Sequence, residues 1–134
     1  MNYVDGFIIP VPTSNMAAYR KMARLGSKVW LDHGALEYRE CVADDVKPGK
    51  WTSFPQSGKL KAGETVVFAW IVCKSRAHRD RVNAAVMKDP RLARMMDPKF
   101  TPFDFKRLIY GGFKVFIAAW SMAHSSTRAA ISSS

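Results

Sequence analysis

The feature that most constrains the fold is residues 30–38, where a helical pattern stops and a strand pattern begins. Within residues 19–33, apolar or aromatic side chains recur at helical spacing, with basic residues covering the other side. Gly26 on this inner stripe suggests a close approach of the helix to the sheet. Gly34 fits the position just past a helix end, where a left-handed backbone is favoured. Residues 35–42 then have strand character. The junction therefore predicts a helix that packs along a sheet and is followed directly by a strand of that sheet.

Three further segments have the composition of strands. Residues 3–11 and 64–73 are rich in aromatic and β-branched side chains, and the second is apolar on both faces, which favours a central position in a sheet. The last strand is expected at 107–117. Within it, Gly111 and Gly112 indicate a β-bulge or a tight backbone approach.

Helical and loop signals separate these strands. Ser75 fits the N-cap of a second helix, which the Asp-Pro pair at 89–90 ends. A short helical turn is expected at 91–99. Residues 43–64 form a long connection with turn chemistry, and a short extra strand is expected around 51–54.

The resulting order is strand, helix, strand, then strand, helix, strand. Two such units with right-handed crossovers form a four-stranded antiparallel sheet with both helices on one face, which is the α+β, ferredoxin-like βαββαβ fold. We expect one domain at 1–117 and a frayed tail at 118–134. The uncovered face would carry Phe68, Trp70 and Val72, or their alternates. Such a face is rarely left in water, so we expect a homodimer.

The 134 residues carry a formal net charge of +10, from 21 basic and 11 acidic side chains. Such an excess attracts nucleic acid, acidic membrane or anionic metabolites, or it keeps a small protein soluble. No apolar run of 18 residues is present, so we expect no membrane span. The first residues lack the pattern of a signal peptide, and a cytoplasmic location is expected.

Several motifs resemble a bacterial family of unknown function, the YbaA-like proteins. They are YVDGF at 3–7, WLDHGALEY at 30–38, ECVADD at 40–45, TSFP at 52–55, SRAHRD at 75–80, and Arg107 with YGGF at 110–113. The resemblance implies the dimeric α+β barrel, in which two ferredoxin-like protomers join their sheets. Proteins of that superfamily include cofactor-independent monooxygenases, lactone isomerases, dehalogenating enzymes and ligand-binding modules. In many of them a cleft between sheet and helices binds a small, often aromatic, molecule.

Three titratable residues are candidate catalytic groups. His33 lies on the inner stripe at the end of the first helix, where it is either a proton donor or acceptor at the cleft mouth or a structural helix-terminal histidine. Asp5 shares a strand face with apolar residues and needs a partner, for which Arg107 is the natural choice. Glu40 is either an acid or base among aromatic side chains or an interface group bound to an arginine. Pairing of the second and third strands would bring Tyr38 near Trp70 and Glu40 near Phe68.

The candidate ligand-binding residues are Tyr3, Trp30, Trp70, Arg107 and Tyr110. Neither cysteine belongs to a CxxC pair, and the histidines lack metal-ligand spacing, so no metal or other cofactor is expected. The favoured hypothesis is a homodimer that binds an aromatic or polyketide-like molecule between the first helix and the sheet. Whether it also transforms that molecule, without a cofactor, is left open. The alternatives are nucleic-acid binding through the basic surface and a structural or regulatory dimer without a ligand.

Overall fold

The strand and helix patterns appear in the computed structural model, which describes residues 1–99 and 101–122. A 3-10 turn precedes the first long helix, and another precedes the last strand. The elements are β1 (Tyr3–Pro12), α1 (Met16–Asp32), β2 (Glu37–Val42), α2 (Phe54–Ser57), β3 (Glu64–Cys73), α3 (Arg76–Met87), α4 (Pro90–Met95) and β4 (Ile109–Lys114).

The four strands form one antiparallel sheet in the order β2-β3-β1-β4. The ladder between β1 and β3 is the longest, and it runs without interruption from the pair Tyr3–Cys73 to the pair Pro12–Glu64. The ferredoxin-like α+β fold is therefore confirmed, with β3 central as its apolar composition predicted. No helix of the described ranges is both long and apolar enough to cross a membrane.

Two boundaries differ from the sequence-based expectation. Residues 54–57 form a short helix, and the expected strand at 51–54 is absent, because Ser53 caps this turn and Pro55 favours its start. The last strand spans only Ile109–Lys114. Residues 105–107 form a 3-10 turn capped by Asp104 and so cannot extend the ladder. Most of the expected tail at 118–134 lies outside the described residues.

The core lies between the helices and one face of the sheet and consists of two adjoining clusters. Val29, Ile71 and Val86 belong to the first cluster, together with residues of α3 and α4. Val11 and Val67 belong to the second, beneath the first half of α1. Phe7 and Ile9 are at the centre of β1, and Phe7 packs against both clusters. Helix α1 therefore spans the whole length of the core.

The opposite face of the sheet has no helix over it. Because side chains alternate along a strand, Phe68, Trp70 and Val72 point to this open face, which is one of the two alternatives that the sequence left open. Phe113 of β4 lies there too, opposite Val4. Its side chain is 63% exposed, and Phe68 is 44% exposed.

A bidentate ion pair connects the start of β3 with the approach to β4. The Arg107 guanidinium donates to both carboxylate oxygens of Glu64, at 2.5 and 2.8 Å. These hydrogen bonds lower the pKa of Glu64 from its ordinary 4.5 to about 2. The Arg107 Nη2 atom also donates a hydrogen bond to the Lys59 carbonyl oxygen, and this bond fixes the loop that leads into β3.

We predict that this pair makes the protein acid-sensitive between pH 4.5 and pH 2. A carboxylate with a lowered folded-state pKa stabilises the fold above its unfolded pKa, and that stabilisation is lost as the pH falls through the folded pKa. The unfolding free energy, measured with urea, should fall less steeply over this window in Glu64→Gln than in the wild type. Parallel curves for the two proteins would contradict the prediction.

Candidate functional site

A cleft between α1 and the sheet contains two adjoining spaces that share three lining residues. The outer chamber is a groove of about 410 Å³ between α1 and the edge strand β2, and the inner chamber is an apolar space of about 120 Å³ beneath α1. Three polar side chains line both chambers: Tyr19, Tyr38 and Glu40. The boundary between the chambers is therefore polar.

Glu40 is the centre of this boundary. It lies opposite Ala69 in the β2–β3 ladder, so its side chain points toward α1. The hydroxyl groups of Tyr19 and Tyr38 each donate to one of its carboxylate oxygens, the Tyr38 bond being 2.6 Å long. Helix and strand thus each supply one phenol to a single carboxylate.

The two phenols stay protonated over the physiological range. Burial is the largest cause, and the adjacent Glu40 charge adds to it, so the pKa of both Tyr19 and Tyr38 is raised well above the ordinary value of 10. Both groups therefore remain hydrogen-bond donors to the carboxylate. Each Glu40 oxygen retains further acceptor capacity, which is available to a bound molecule.

Gly26 allows this arrangement. A Cβ atom at position 26 would lie 2.9 Å from the Tyr38 hydroxyl oxygen and 3.1 Å from the Met95 methyl group. Only the absence of a side chain lets the Tyr38 hydroxyl approach α1 so closely. The close approach of helix to sheet predicted at Gly26 is therefore confirmed.

The inner chamber is lined mainly by aromatic and sulfur-containing side chains. Trp30 is one wall, and its indole nitrogen donates to the Asn83 side chain at 3.2 Å. Phe7 and Phe103 are further walls. Met22 and Met95 are flexible side chains that adapt to different shapes. The chamber suits an apolar ring.

A second polar cluster surrounds Asp5, which is 2% exposed. Arg79 of α3 donates to the Asp5 carboxylate at 2.5 Å, and its guanidinium lies over the Tyr3 ring at 4.8 Å. The Tyr110 hydroxyl lies 3.5 Å from the same guanidinium. The expected Asp5–Arg107 pair is therefore wrong, because Arg107 precedes β4 and binds Glu64.

Gly112 explains how Arg79 reaches this position. It lies directly opposite Asp5 in the β1–β4 ladder. A Cβ atom there would lie 2.5 Å from the Tyr3 hydroxyl oxygen and 2.9 Å from an Arg79 nitrogen. The β1–β4 ladder runs continuously through this point, so the tight-approach alternative holds for this glycine and the bulge alternative does not. Burial raises the pKa of Asp5, and Arg79 partly opposes that effect.

His33 lies outside both chambers. Its Nε2 atom is 2.8 Å from the Asp89 carboxylate, which caps the start of α4. Arg91 binds the same carboxylate and also Asp32. The prediction that His33 lies at the cleft mouth is therefore wrong, because its imidazole connects the end of α1 with the start of α4.

Trp70 also lies outside the cleft. It faces the open side of the sheet, opposite Arg39 and Gly6. The expected proximity of Tyr38 to Trp70 and of Glu40 to Phe68 is wrong, because the ladder is shifted by one residue and places Trp70 and Glu40 on opposite faces.

The structure thus divides the predicted residues among different places. Glu40 and Trp30 line the cleft, while Tyr3, Asp5 and Tyr110 surround Arg79. Sequence reasoning did not assign Tyr19, Tyr38 or Arg79 to a site. Two signals could have found the tyrosines: Tyr19 shares the inner stripe of α1 with Gly26, and Tyr38 shares a strand face with Glu40.

Metal-ligating side chains are dispersed in the part of the chain that the structure describes. Nowhere within 1–99 and 101–122 do three His, Cys, Asp or Glu residues come close enough to hold a metal ion. Both cysteines are free thiols, Cys41 exposed and Cys73 buried. At the boundary between the two chambers, the polar groups are one carboxylate and two phenols.

A ferredoxin-like α+β domain with a cleft beneath its first helix is the class that these observations define. The chain belongs to the family described as "Protein of unknown function (DUF1428)", which matches residues 2–105. The "Uncharacterized protein YbaA" of Escherichia coli K12 is 44% identical over 117 residues, covering 87% of this chain and 98% of its own. YbaA of Shigella flexneri matches equally well. The resemblance to the YbaA-like proteins that the sequence motifs indicated is therefore confirmed.

One solved structure supports the fold independently. It is titled a dimeric ferredoxin-like protein from an uncultured marine organism, and it has a TM-score of 0.53 at 13% sequence identity. The likeness covers 89% of this chain and all of that one. At this identity the comparison supports the architecture alone.

We predict that Gly26→Ala destabilises the protein through Tyr38. Alanine favours a helix over glycine by about 1 kcal/mol, but here its methyl group displaces the Tyr38 hydroxyl, and overpacking costs about 1–3 kcal/mol. In a Tyr38→Phe background the obstructing oxygen is absent, so Gly26→Ala should be less harmful by about 1 kcal/mol or more. Urea unfolding of the four proteins measures this coupling.

Ser27→Ala is the matched control, because Ser27 bonds only the Arg24 carbonyl of its own helix. Its effect should be the same in both backgrounds. A Gly26→Ala penalty that does not depend on the Tyr38 hydroxyl would disprove the proposed contact.

Proposed function

We propose that the cleft binds a small aromatic or polyketide-like molecule, with an apolar ring in the inner chamber and a hydrogen-bond donor on Glu40. The observation that carries this proposal is the carboxylate held by two phenols at the boundary of an open chamber and an apolar one. Ligand pockets typically combine apolar walls with a few placed polar groups in this way.

The dimensions support a ligand of that kind. The outer chamber, at about 410 Å³, is within the usual range for small-molecule sites. The inner chamber, at about 120 Å³, approaches the volume of about 150 Å³ at which an apolar cavity binds benzene. A single ring would occupy the inner chamber, and the rest of the molecule would extend past Glu40.

The electrostatics of Glu40 support a ligand as well. Among the described residues, no Lys, Arg or His forms an ion pair with this carboxylate. A carboxylate held only by neutral donors in a partly apolar cleft costs stability. A task in ligand binding would account for such a group, and a bound phenol or enol could also transfer a proton to it without a cofactor.

A ligand screen tests the proposal. Benzoic and cinnamic acids, hydroxynaphthalenes and hydroxyquinones would be tested by thermal shift and then by calorimetry. We expect at least one hydroxyl-bearing compound to stabilise the wild type and to bind Glu40→Gln at least tenfold more weakly, because the neutral amide is the poorer acceptor.

Glu37→Gln is the matched control, since Glu37 is on the same strand but faces the open side and binds Arg39. The affinity of Glu37→Gln for the bound compound should equal that of the wild type. If no compound stabilises the wild type, the alternative of a structural or regulatory dimer without a ligand is favoured instead.

We also propose that the open face joins that of a second copy. Exposed aromatic and aliphatic side chains there, including Phe68, Phe113 and Ile109, form an apolar surface that water solvates poorly. The cleft is on the other face of the sheet, so a dimer of this kind leaves it accessible. Such a dimer would also cover the aromatic side chains on which RNA bases could stack.

Nucleic-acid binding has less support. Arg39, Arg79, Arg91 and Arg107 each bind a carboxylate of the protein, so part of the basic excess is already neutralised. Binding of an RNA oligonucleotide at low salt, with a steep logarithmic dependence on salt concentration, would restore this alternative.

We predict that Phe113→Glu yields a monomer while Met87→Glu leaves a dimer, as measured by sedimentation at equal protein concentration. The two side chains are similarly exposed, at 63% and 64%, but Met87 ends α3 on the helical side. A charge buried in a sheet-to-sheet interface is strongly unfavourable. A wild type that is monomeric throughout, or equal behaviour of the two variants, would contradict this assembly.

A further inference from the structure

Resting on the binding cleft just proposed, we infer that its ligand is an aromatic carboxylic acid. Its carboxylate would be bound by Arg20 and Arg24 at the mouth of the outer chamber, and a hydroxyl group farther inside would donate a hydrogen bond to Glu40. This assigns a charge and an orientation to the ligand.

The two arginines form one wall of the outer chamber. Arg20, Arg24 and Ser27 are at positions i, i+4 and i+7 of α1, so they follow one another along the same side of the helix. Cys41 and Val42 of the edge strand are on the opposite wall. The groove between these walls thus has guanidinium groups along one side.

These guanidinium groups have no protein partner in the described ranges. Arg39, Arg79, Arg91 and Arg107 are held by carboxylates at distances of 2.8 Å or less. Neither Arg20 nor Arg24 has an ion pair within 1–99 and 101–122, and α1 contains no acidic residue before its last position, Asp32. No carboxylate of the described residues is therefore within ion-pair distance of these two arginines, although Glu40 lines the same chamber.

The spacing of basic residues within α1 makes the lack of an ion-pair partner energetically unfavourable. Arg24 lies four residues from both Arg20 and Lys28, and like charges at that spacing repel each other on a helix. An anion between Arg20 and Arg24 would relieve the repulsion. Guanidinium groups match a carboxylate in geometry, because they can donate two parallel hydrogen bonds to it.

Charge also sets the orientation of such a ligand. Its carboxylate is repelled by Glu40 and attracted to the arginines, so it remains at the mouth. The part of the ligand that carries the carboxylate would then lie against Tyr19, Ala23 and Val67, which line the outer chamber. The apolar ring would occupy the inner chamber, and a hydroxyl group at the boundary would reach the acceptor sites of Glu40.

Paired probes that differ only in charge test this inference. Benzoate, cinnamate and 6-hydroxy-2-naphthoate would each be compared with the corresponding primary amide by calorimetry. The proteins would be the wild type, the double variant Arg20→Gln/Arg24→Gln, and the control Arg76→Gln/Arg81→Gln. The control removes the same charge from α3, where both arginines are exposed and neither lines the outer or the inner chamber.

We expect the wild type to bind at least one acid about tenfold or more tightly than its amide, with a preference that weakens as salt is added. Arg20→Gln/Arg24→Gln should lose the preference and keep its affinity for the amide. Arg76→Gln/Arg81→Gln should keep the preference.

Two results would overturn the inference while leaving the cleft as a binding site. One is equal binding of acid and amide by the wild type. The other is equal loss of the preference for the acid in both double variants, because the preference would then come from the overall charge of the protein and not from Arg20 and Arg24. Failure of every acid and every amide to bind the wild type would overturn the proposed function together with this inference.

Discussion

The register between β2 and β3 is the constraint on which the rest of the cleft depends. Pairing of Tyr38 with Ile71 and of Glu40 with Ala69 places a phenol and a carboxylate beneath α1. A slip of one residue would turn both side chains to the open face, because side chains alternate along a strand. The apolar faces of β3 specify the register, and Gly26 then admits the Tyr38 hydroxyl against the helix.

The carboxylates of the fold have different tasks. Asp5 and Glu64 have arginine partners, and both pairs connect elements that are distant in sequence. Breaking such a pair leaves a buried charge without its partner and destabilises the fold. Glu40 instead has two neutral donors and borders empty space on two sides. That contrast separates groups that hold the protein together from the group that we assign to ligand binding.

The sequence predicted the architecture well because local signals agreed with one another. Helical spacing along α1, the glycine stop at Gly34 and the apolar run of β3 each indicated the same βαββαβ order. The close approach at Gly26 was also predicted, and a tight approach was one of the two alternatives given for Gly112. Periodicity is a property of nearby residues, so it is visible in the chain itself.

The site was predicted less well because it depends on register and on contacts between distant elements. Arg107 was paired with Asp5 because their strands are neighbours, but a 3-10 turn holds Arg107 short of β4 and Arg79 arrives from α3. Trp70 was assigned to the cleft as a neighbour of Tyr38, but the ladder is shifted by one residue, so Trp70 pairs with Arg39 on the open face. Neither a turn that delays the start of a strand nor a shift of one residue leaves a clear local signal.

Backbone amide chemical-shift mapping by NMR, with 6-hydroxy-2-naphthoate titrated into the protein, tests the central claim most directly. We predict saturable shifts centred on α1 between Tyr19 and Ser27 and on β2 between Tyr38 and Val42. Shifts centred on Phe68 and Phe113 of the open face, or no saturable shifts at all, would contradict a ligand cleft beneath the first helix.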